Sequence, residues 1–290
     1  MGNIPILSRE KVEPTYVEAH SLKRKLKNGD WVYISEGNQL LILSDEVVRQ
    51  LNSLELIDEE SFLELVESGI LVERSSSIDD KIKLSQEPKG GLFKALSLLI
   101  IICGIVAFFI SVIEVFTKGF PFESAVNILF ANPLKFFLIA IPISIVSTVF
   151  HEFMHIIFSG SSNKININIT KAVATVPMTH VWTWSKLGRI TAIVSGMSLD
   201  IIFLAVFLVA FGSGSGLASI GASILITRLI WQFIITKKTD INILTSFLAD
   251  NPFYFEDIGQ GVSFIVEIVS LSSLIMMLLL WIIPIFNQFN

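Results

Sequence analysis

Two histidines and a glutamate lie together in residues 150–158, Phe-His-Glu-Phe-Met-His-Ile-Ile-Phe, inside an apolar run long enough to cross a bilayer. His151 and His155 are four residues apart, so on a helix both imidazoles project from one face. That spacing is typical of a two-histidine zinc site, and it places Glu152 where it can activate a water molecule. Each charge at mid-membrane costs roughly 2.5–3.5 kcal/mol. We therefore expect a Zn²⁺ ion to offset the cost of this cluster.

A catalytic zinc site takes three protein ligands and leaves one position open. We predict Asp240 as the third ligand, because it follows the fourth apolar segment at a depth similar to that of His151. Asp200 is an alternative, although Arg228 lies at comparable depth and would pair with it. In that case Asp200 would be structural or would orient the site. The remaining candidates lie elsewhere in the second half of the chain: His180, Asp250, Glu256 and Asp257.

The composition predicts a membrane protein with a polar N-terminal part. The 290 residues are 52% hydrophobic, 16% are charged, and the mean hydropathy is +0.69. Of the 47 charged residues, 28 lie within residues 1–90. Five apolar segments have about the 20 residues that a bilayer requires, which predicts an all-α polytopic membrane protein of about five spans. These segments are 92–116, 134–159, 189–212, 217–236 and 261–286.

Charged residues beside these segments predict the orientation of the chain. Lys89 and Lys94 precede the first segment, which by the positive-inside rule places the N-terminus in the cytoplasm. The 160–188 connection and the Lys237-Lys238 pair then fall on the same side. The net charge of −5 carries no signature of nucleic-acid binding. We expect an integral, multi-pass protein that contacts the lipid bilayer and no nucleic acid.

The 160–188 connection contains two runs with strand-like character. Residues 165–170 alternate strictly between apolar and polar types, and residues 179–184 do so less regularly after Pro177. We predict a small β-hairpin at the membrane interface, with Trp182 and Trp184 at headgroup level. An exposed edge of this hairpin could receive an extended substrate by strand addition. The alternative is an interfacial anchor without a role in substrate binding.

The first 74 residues predict a small α+β domain. Residues 31–35 and 39–43 flank Gly37-Asn38 and indicate a β-hairpin. Ser44 and Asp58 can each cap a helix, the second helix stops at Gly69, and a short strand over 70–72 closes the unit. We predict a winged-helix-like domain over residues 1–74, a linker over 75–91 and a membrane-embedded domain over 92–290.

The membrane part resembles the site-2 protease family of intramembrane zinc metalloproteases. His151-Glu152-x-x-His155 matches the family's membrane-embedded motif, and residues 196–200, Gly-Met-Ser-Leu-Asp, resemble its Gly-Pro-x-x-Asn/Asp stretch without the proline. Thr239-Asp240 resembles the later Asp-Gly motif, with Ile241 in place of the glycine. The family's Asn-x-x-Pro is replaced, with Gln232 and Ile235 at its two defined positions. The resemblance implies zinc held by both histidines and Asp240, with Glu152 as the general base.

The N-terminal part resembles the PqqD-like domains that bind leader peptides of ribosomally made, modified peptides. The likeness lies in the hairpin, the Leu43-Ser44 helix start and the sequence Glu-Ser-Gly-Ile-Leu over residues 67–71. Both halves together resemble the peptide zinc metalloproteases of bacteriocin-type peptide maturation. This implies a bacterial plasma membrane, a leader peptide bound by residues 1–74, and a peptide exporter or modifying enzyme as partner. A cytosolic cap that anchors or gates is the alternative for this domain.

Two other functions are compatible with the same residues. A membrane zinc peptidase of the prenyl-protein type shares the His-Glu-x-x-His motif but takes a later glutamate, such as Glu256, as its third ligand. A non-catalytic membrane protein, such as an immunity protein, would hold a peptide through the N-terminal domain without cutting it. Cys103 is the only cysteine, so neither an intrachain disulfide nor a multi-cysteine metal site can form.

Overall fold

The chain forms two compact units. The computed structural model describes residues 16–18, 21–34, 40–53, 59–73, 86–160, 166–168, 173–175, 178–211, 214–236 and 238–289. The N-terminal unit comprises Met1–Pro88 together with Pro177–Ser185, and the membrane unit comprises Lys89–Val176 and Lys186–Asn290. Residues 177–185 lie within the predicted membrane-embedded domain over 92–290, so the two units differ from the predicted domains in this segment.

The N-terminal unit combines short antiparallel strands with two helices. Its elements are β1 (Tyr16–Glu18), β2 (Leu22–Lys25), β3 (Trp31–Ile34), β4 (Leu40–Leu43), α1 (Asp45–Ser53), α2 (Glu59–Glu67) and β5 (Leu71–Glu73). Strands β2, β3 and β4 form one antiparallel sheet, and β1 pairs with β5. The predicted pairing of β3 with β4 is confirmed, with Trp31 opposite Leu43. The sequence patterns did not predict β1 and β2, and the Gly37-Asn38 turn lies outside the described residues.

Local caps and one apolar core explain why these elements form. Ser44 Oγ accepts a hydrogen bond from the Val47 backbone N–H at 3.3 Å, which confirms Ser44 as the cap of α1. Gly69 ends α2 with a φ of +71°, a conformation that favours glycine. The core contains the buried side chains of Tyr33, Val48, Leu51, Leu65, Ile70 and Leu71. Asp58 and most of the predicted linker, residues 75–85, lie outside the described residues.

Asp45 joins α1 to the sheet of the N-terminal unit. Its carboxylate accepts hydrogen bonds from Lys25 Nζ at 2.7 Å, from Trp31 Nε1 at 2.9 Å and from Arg49 at 2.8 Å. These donors hold the pKa of the Asp45 carboxyl well below its ordinary value. Acid that protonates Asp45 therefore weakens this connection.

The segment 177–185 contributes a short 3₁₀ helix, Thr179–Thr183, to the N-terminal unit. This helix contacts β2 and β3. Arg24 Nε donates to the Trp182 carbonyl oxygen at 2.8 Å. Glu87 accepts hydrogen bonds from the Ser185 N–H at 2.7 Å and from its hydroxyl at 2.6 Å. Residues 177–185 are therefore an integral part of the N-terminal fold.

The prediction of a strand over 179–184 was wrong. His180, Val181, Trp182 and Trp184 are all buried. Buried residues occur at both even and odd positions, whereas a strand with one buried face would bury only every second residue. Trp182 is 8% exposed and Trp184 is 2% exposed. The first predicted strand is present as β6 (Asn166–Asn168), but its antiparallel partner is β7 (Val173–Thr175), which ends before Pro177.

The membrane unit is helical. Its helices are α3 (Gly91–Lys118), α4 (Phe122–Ala131), α5 (Pro133–Ser159), α6 (Lys186–Phe211), α7 (Gly216–Trp231), α8 (Asp240–Ala249), α9 (Tyr254–Asp257) and α10 (Gln260–Asn287). Within the described part of the chain, α3, α5, α6 and α10 are long and apolar enough to cross a membrane. The fourth predicted segment, 217–236, forms α7 of only 16 residues followed by turns. Among the described residues, four helices therefore meet the length requirement, compared with five predicted segments.

Helix α6 is the central helix of the membrane unit. In its most apolar window 56% of the residues are buried, compared with 22% or less in the other three long helices. It contacts α3, α5 and α7. Its approach to α3 is close, because a Cβ on Gly104 would lie 2.7 Å from the Cβ of Ser198. This central position brings α6 against the helix that carries the histidine motif.

Candidate metal centre

Helix α5 holds His151 and His155 on one buried face. The helix begins at Pro133 after Asn132, whose side chain accepts from the Lys135 N–H at 2.9 Å, and it ends at Gly160. The two histidines are 3% and 2% exposed. Their Nε2 atoms lie 3.0 Å apart. The helical spacing predicted from the sequence therefore places both rings at one point.

The outer nitrogen of each ring has an acceptor from α6. His155 Nδ1 lies 2.7 Å from the backbone carbonyl oxygen of Ala192, and His151 Nδ1 lies 2.7 Å from Asp200 Oδ2. A carbonyl oxygen and an ionised carboxylate only accept hydrogen bonds, so we assign the proton of each neutral imidazole to Nδ1. In this assignment both Nε2 atoms present unprotonated lone pairs to each other.

Asp240 brings a third acceptor to the same point. Its Oδ2 lies 2.9 Å from His151 Nε2 and 3.6 Å from His155 Nε2. With both Nε2 atoms unprotonated, this buried oxygen has no hydrogen-bond donor among the described residues. Three lone-pair donors that converge without a proton between them repel one another unless a cation binds them. The His151, His155 and Asp240 group could therefore bind a metal ion.

The charge of the surrounding residues also favours a divalent cation. Glu152, Asp200 and Asp240 carry three negative charges when they are ionised, and Arg228 carries one positive charge. Glu152 lies within electrostatic range of both histidines, of Asp240 and of Arg228. The cluster with neutral histidines thus has a net charge of two negative units, which is costly in a low-dielectric region. One dication brings it to zero.

Asp200 orients the site from α6, where it is fully buried. Its Oδ2 lies 2.7 Å from His151 Nδ1 and 3.1 Å from Arg228 Nε. Arg228 also donates to Thr148 Oγ1 at 3.0 Å and Ser147 Oγ at 3.3 Å, both on α5. The predicted Asp200–Arg228 pair is present. Asp200 contacts the outer nitrogen of His151 and is outside the group of three ligand atoms.

The Asp240 backbone is held by residues at the end of α7. Gln232 Oε1 accepts from the Asp240 N–H at 3.0 Å, and the Thr239 hydroxyl donates to the Gln232 carbonyl oxygen at 2.9 Å. Thr239 also caps α8, because its Oγ1 accepts from the Asn242 N–H at 3.4 Å. This role of Gln232 is not predictable from its residue type. A glutamine that follows an apolar helix is equally compatible with an exposed position and with a buried one that holds a neighbouring backbone.

The other candidate ligands lie elsewhere. Asp250 forms an ion pair with Arg189. Glu256 and Asp257 are exposed. His180 belongs to the N-terminal unit, where its ring contacts that of Trp184 edge-to-face with 5.6 Å between centroids. Within the described ranges, only His151, His155 and Asp240 bring three ligand atoms close enough together to hold a metal ion.

Gly196 provides the space in front of the two histidines. A Cβ at this position would lie 2.7 Å from His155 Nε2 and 2.8 Å from His151 Nε2. A Cβ atom does not approach another atom that closely, so only glycine leaves this space open without moving the rings. In the sequence, Gly196 is recognisable only as part of the resemblance over residues 196–200. The requirement for a glycine at this position depends on the side chains of another helix, which a motif does not show.

Comparison with known proteins identifies no relative of this chain. No protein-family model, no curated protein and no solved structure matches the chain. The resemblances to site-2 proteases and to PqqD-like domains thus remain predictions from motifs. The structure shows a buried group of two histidines and one carboxylate on helices α5 and α8.

Replacing Asp200 with asparagine should weaken metal binding roughly 10–100-fold, which is the usual effect of removing a partner of a ligating histidine. The asparagine keeps the shape of the side chain, but it removes the charge that His151 and Arg228 share. Titration of the metal-free protein with Zn²⁺ in detergent measures the change. Asp257→Asn, at an exposed carboxylate, is the matched control and should bind like wild type. Equal affinity in the two variants would contradict the orienting role.

Proposed function

We propose that this protein is an intramembrane zinc metalloprotease that cleaves a peptide or a membrane-associated peptide precursor. The observation that supports the proposal is the convergence of His151 Nε2, His155 Nε2 and Asp240 Oδ2 within helices of the membrane unit. Two imidazoles and one carboxylate form the ligand class of hydrolytic zinc sites that leave one position open.

The spacing of the three atoms also suits zinc. A tetrahedral zinc ion with bonds of about 2.0–2.1 Å separates its ligand atoms by roughly 3.3 Å. The three separations in this protein are 2.9, 3.0 and 3.6 Å. Each separation lies within about 0.4 Å of the tetrahedral value, so the three residues would hold the ion after only small shifts of their side chains.

Each residue then has a role in hydrolysis. A Zn²⁺ ion held by His151, His155 and Asp240 would act as a Lewis acid and lower the pKa of water toward neutrality. Glu152 accepts the proton of the attacking water and passes it to the leaving amine. Asp200 and the Ala192 carbonyl keep the two histidines in the ligating tautomer. The apolar helices around the site restrict the entry of bulk water.

The N-terminal unit supplies the substrate in this proposal. Residues 1–74 bind a leader peptide on the cytoplasmic side of a bacterial plasma membrane, and a peptide exporter or modifying enzyme acts on the same peptide. The sheet of this unit supports the idea, because among the described residues β4 pairs on one side only, which leaves an edge to which an extended peptide can add. The prenyl-protein type of peptidase is less compatible, since Glu256 is exposed and outside the ligand group.

Metal content and new peptide ends together test the function. Detergent-purified wild-type protein should contain about one zinc per chain, and His155→Ala should contain none. Cells that produce wild type should show membrane-peptide N-termini that are absent with His155→Ala, as measured by mass spectrometry of labelled N-termini. Zinc without any new N-terminus would favour the non-catalytic peptide-binding protein. Absence of zinc in wild type would refute the metal centre itself.

A further inference from the structure

One face of α6 contacts the residues that form the candidate metal centre. Arg189, Ala192, Gly196 and Asp200 follow one another at intervals of three, four and four residues, so they lie on one face of the helix. Ala192 accepts from His155, Asp200 contacts His151, and Gly196 leaves space for both Nε2 atoms. Three residues of this face thus act on the two histidine ligands.

The fourth residue, Arg189, contacts the end of the helix that carries the third ligand. Its NH1 donates to Asp250 Oδ1, and its guanidinium lies 5.9 Å from the centre of the Phe247 ring. Arg189 and Asp250 are 5% and 6% exposed. Asp250 is the residue that ends α8, and it has a φ of +60°. Arg189 therefore binds α8 at the end opposite to Asp240.

Helix α8 is consequently fixed at both ends. Gln232 holds the backbone N–H of Asp240 at the first residue, and Arg189 holds Asp250 just beyond the last. The ten residues between them span about 15 Å. A rigid helix of this length transmits a displacement of one end to the other. Ligand atoms in a metal site must lie within about 0.2 Å of their positions, so a small shift of α8 affects binding.

We propose that Arg189 and Asp250 are a positioning pair that sets Asp240 against His151 and His155. This inference rests on the metal centre of the proposed function. A buried ion pair is weak evidence for stability, because the desolvation of both charges offsets much of their attraction. Positioning gives the pair a role that an apolar contact of the same volume would not supply, since a hydrogen bond from the guanidinium to Asp250 Oδ1 fixes direction as well as distance.

Cobalt binding tests the proposal without a substrate. Co²⁺ replaces Zn²⁺ in such sites, and its visible absorption reports the number and geometry of the ligands. The test variant is the neutral double substitution Arg189→Gln with Asp250→Asn, which removes both charges of the pair together. The double substitution is made both in the wild-type chain and in the Asp240→Ala chain, and its effect on Co²⁺ binding is compared between the two. Asp45→Asn, which removes an ion-pair partner in the N-terminal unit, is the matched control.

We expect the double substitution to weaken Co²⁺ binding roughly 10–100-fold in the wild-type chain and to change the absorption spectrum. In the Asp240→Ala chain it should change neither, because the pair acts only through Asp240. The reciprocal exchange, Arg189→Asp with Asp250→Arg, should restore part of the affinity. Asp45→Asn should bind Co²⁺ as wild type does. Thermal unfolding of each metal-free variant verifies that the chain is folded.

Two results would overturn the positioning role. One is unchanged affinity of the double variant in the wild-type chain. The other is an equal loss of affinity with and without Asp240, which would mean that the pair supports the fold in general. Failure of the wild-type protein to bind Co²⁺ would instead refute the metal centre, and it is recognised before any variant is compared.

Discussion

Replacing Glu152 with glutamine should leave metal binding unchanged and reduce peptide-bond hydrolysis by roughly 10²–10⁴-fold. Glutamine has the size of glutamate but cannot accept the proton of the attacking water. Glu152 is outside the group of ligand atoms, so the metal should remain bound. The measurement combines zinc content per chain with the cleavage rate of a peptide whose new N-terminus appears only with the wild-type protein.

Glu267→Gln is the control for this substitution. Glu267 is another glutamate in a long apolar helix, α10, and it is exposed on that helix. Its replacement should affect neither zinc content nor cleavage. Cleavage by Glu152→Gln at the wild-type rate would refute the assigned base. Loss of zinc in that variant would mean that Glu152 contributes to the metal site and does not act as a base alone.

Replacing Gly196 with alanine should remove most of the metal binding. The added methyl group would lie 2.7 Å from His155 Nε2 and 2.9 Å from His151 Cδ2. Both rings are held at Nδ1 by acceptors on the same helix, so they cannot move away together without losing those hydrogen bonds. Overpacking of this kind costs about 1–3 kcal/mol, which corresponds to a loss of roughly 5–150-fold in affinity.

Gly221→Ala separates the metal site from general overpacking. A Cβ at Gly221 would lie 2.8 Å from the Phe207 ring, a comparable clash that contacts no ligand. We expect this variant to unfold at a lower temperature but to bind Zn²⁺ with wild-type affinity. Zinc titration and thermal unfolding of both variants make the comparison. If the two lose affinity equally, the space at Gly196 has no specific relation to the metal.

Features that depend on neighbouring residues could be predicted from the sequence. The spacing of His151 and His155 places both rings on one face, because helical geometry alone decides it. The Ser44 cap and the end of α2 at Gly69 follow from local backbone chemistry. The pairing of Asp200 with Arg228 was also predictable, since two opposite charges at similar depth in a membrane have few other partners.

Features that depend on distant contacts could not be predicted in this way. The roles of Gln232, Arg189 and Asp250 arise from the packing of α6, α7 and α8, and none of these residues has a local signature. Apolar and polar residues alternate partly over 179–184, and this pattern predicts a strand where the structure has a 3₁₀ helix, Thr179–Thr183. Its burial on the N-terminal unit, which decides its conformation, is a tertiary effect.

The position of residues 177–185 within the N-terminal unit has a consequence for biosynthesis. The unit is incomplete until its segment 177–185 has been synthesised, and that segment ends about 100 residues after Pro88. At roughly 5–20 residues per second the ribosome needs about 5–20 s for this stretch. Helices α3 and α5 are made during that interval. The N-terminal unit therefore closes only after the helix with both histidines has left the ribosome, so the nascent chain completes this unit late although it begins first.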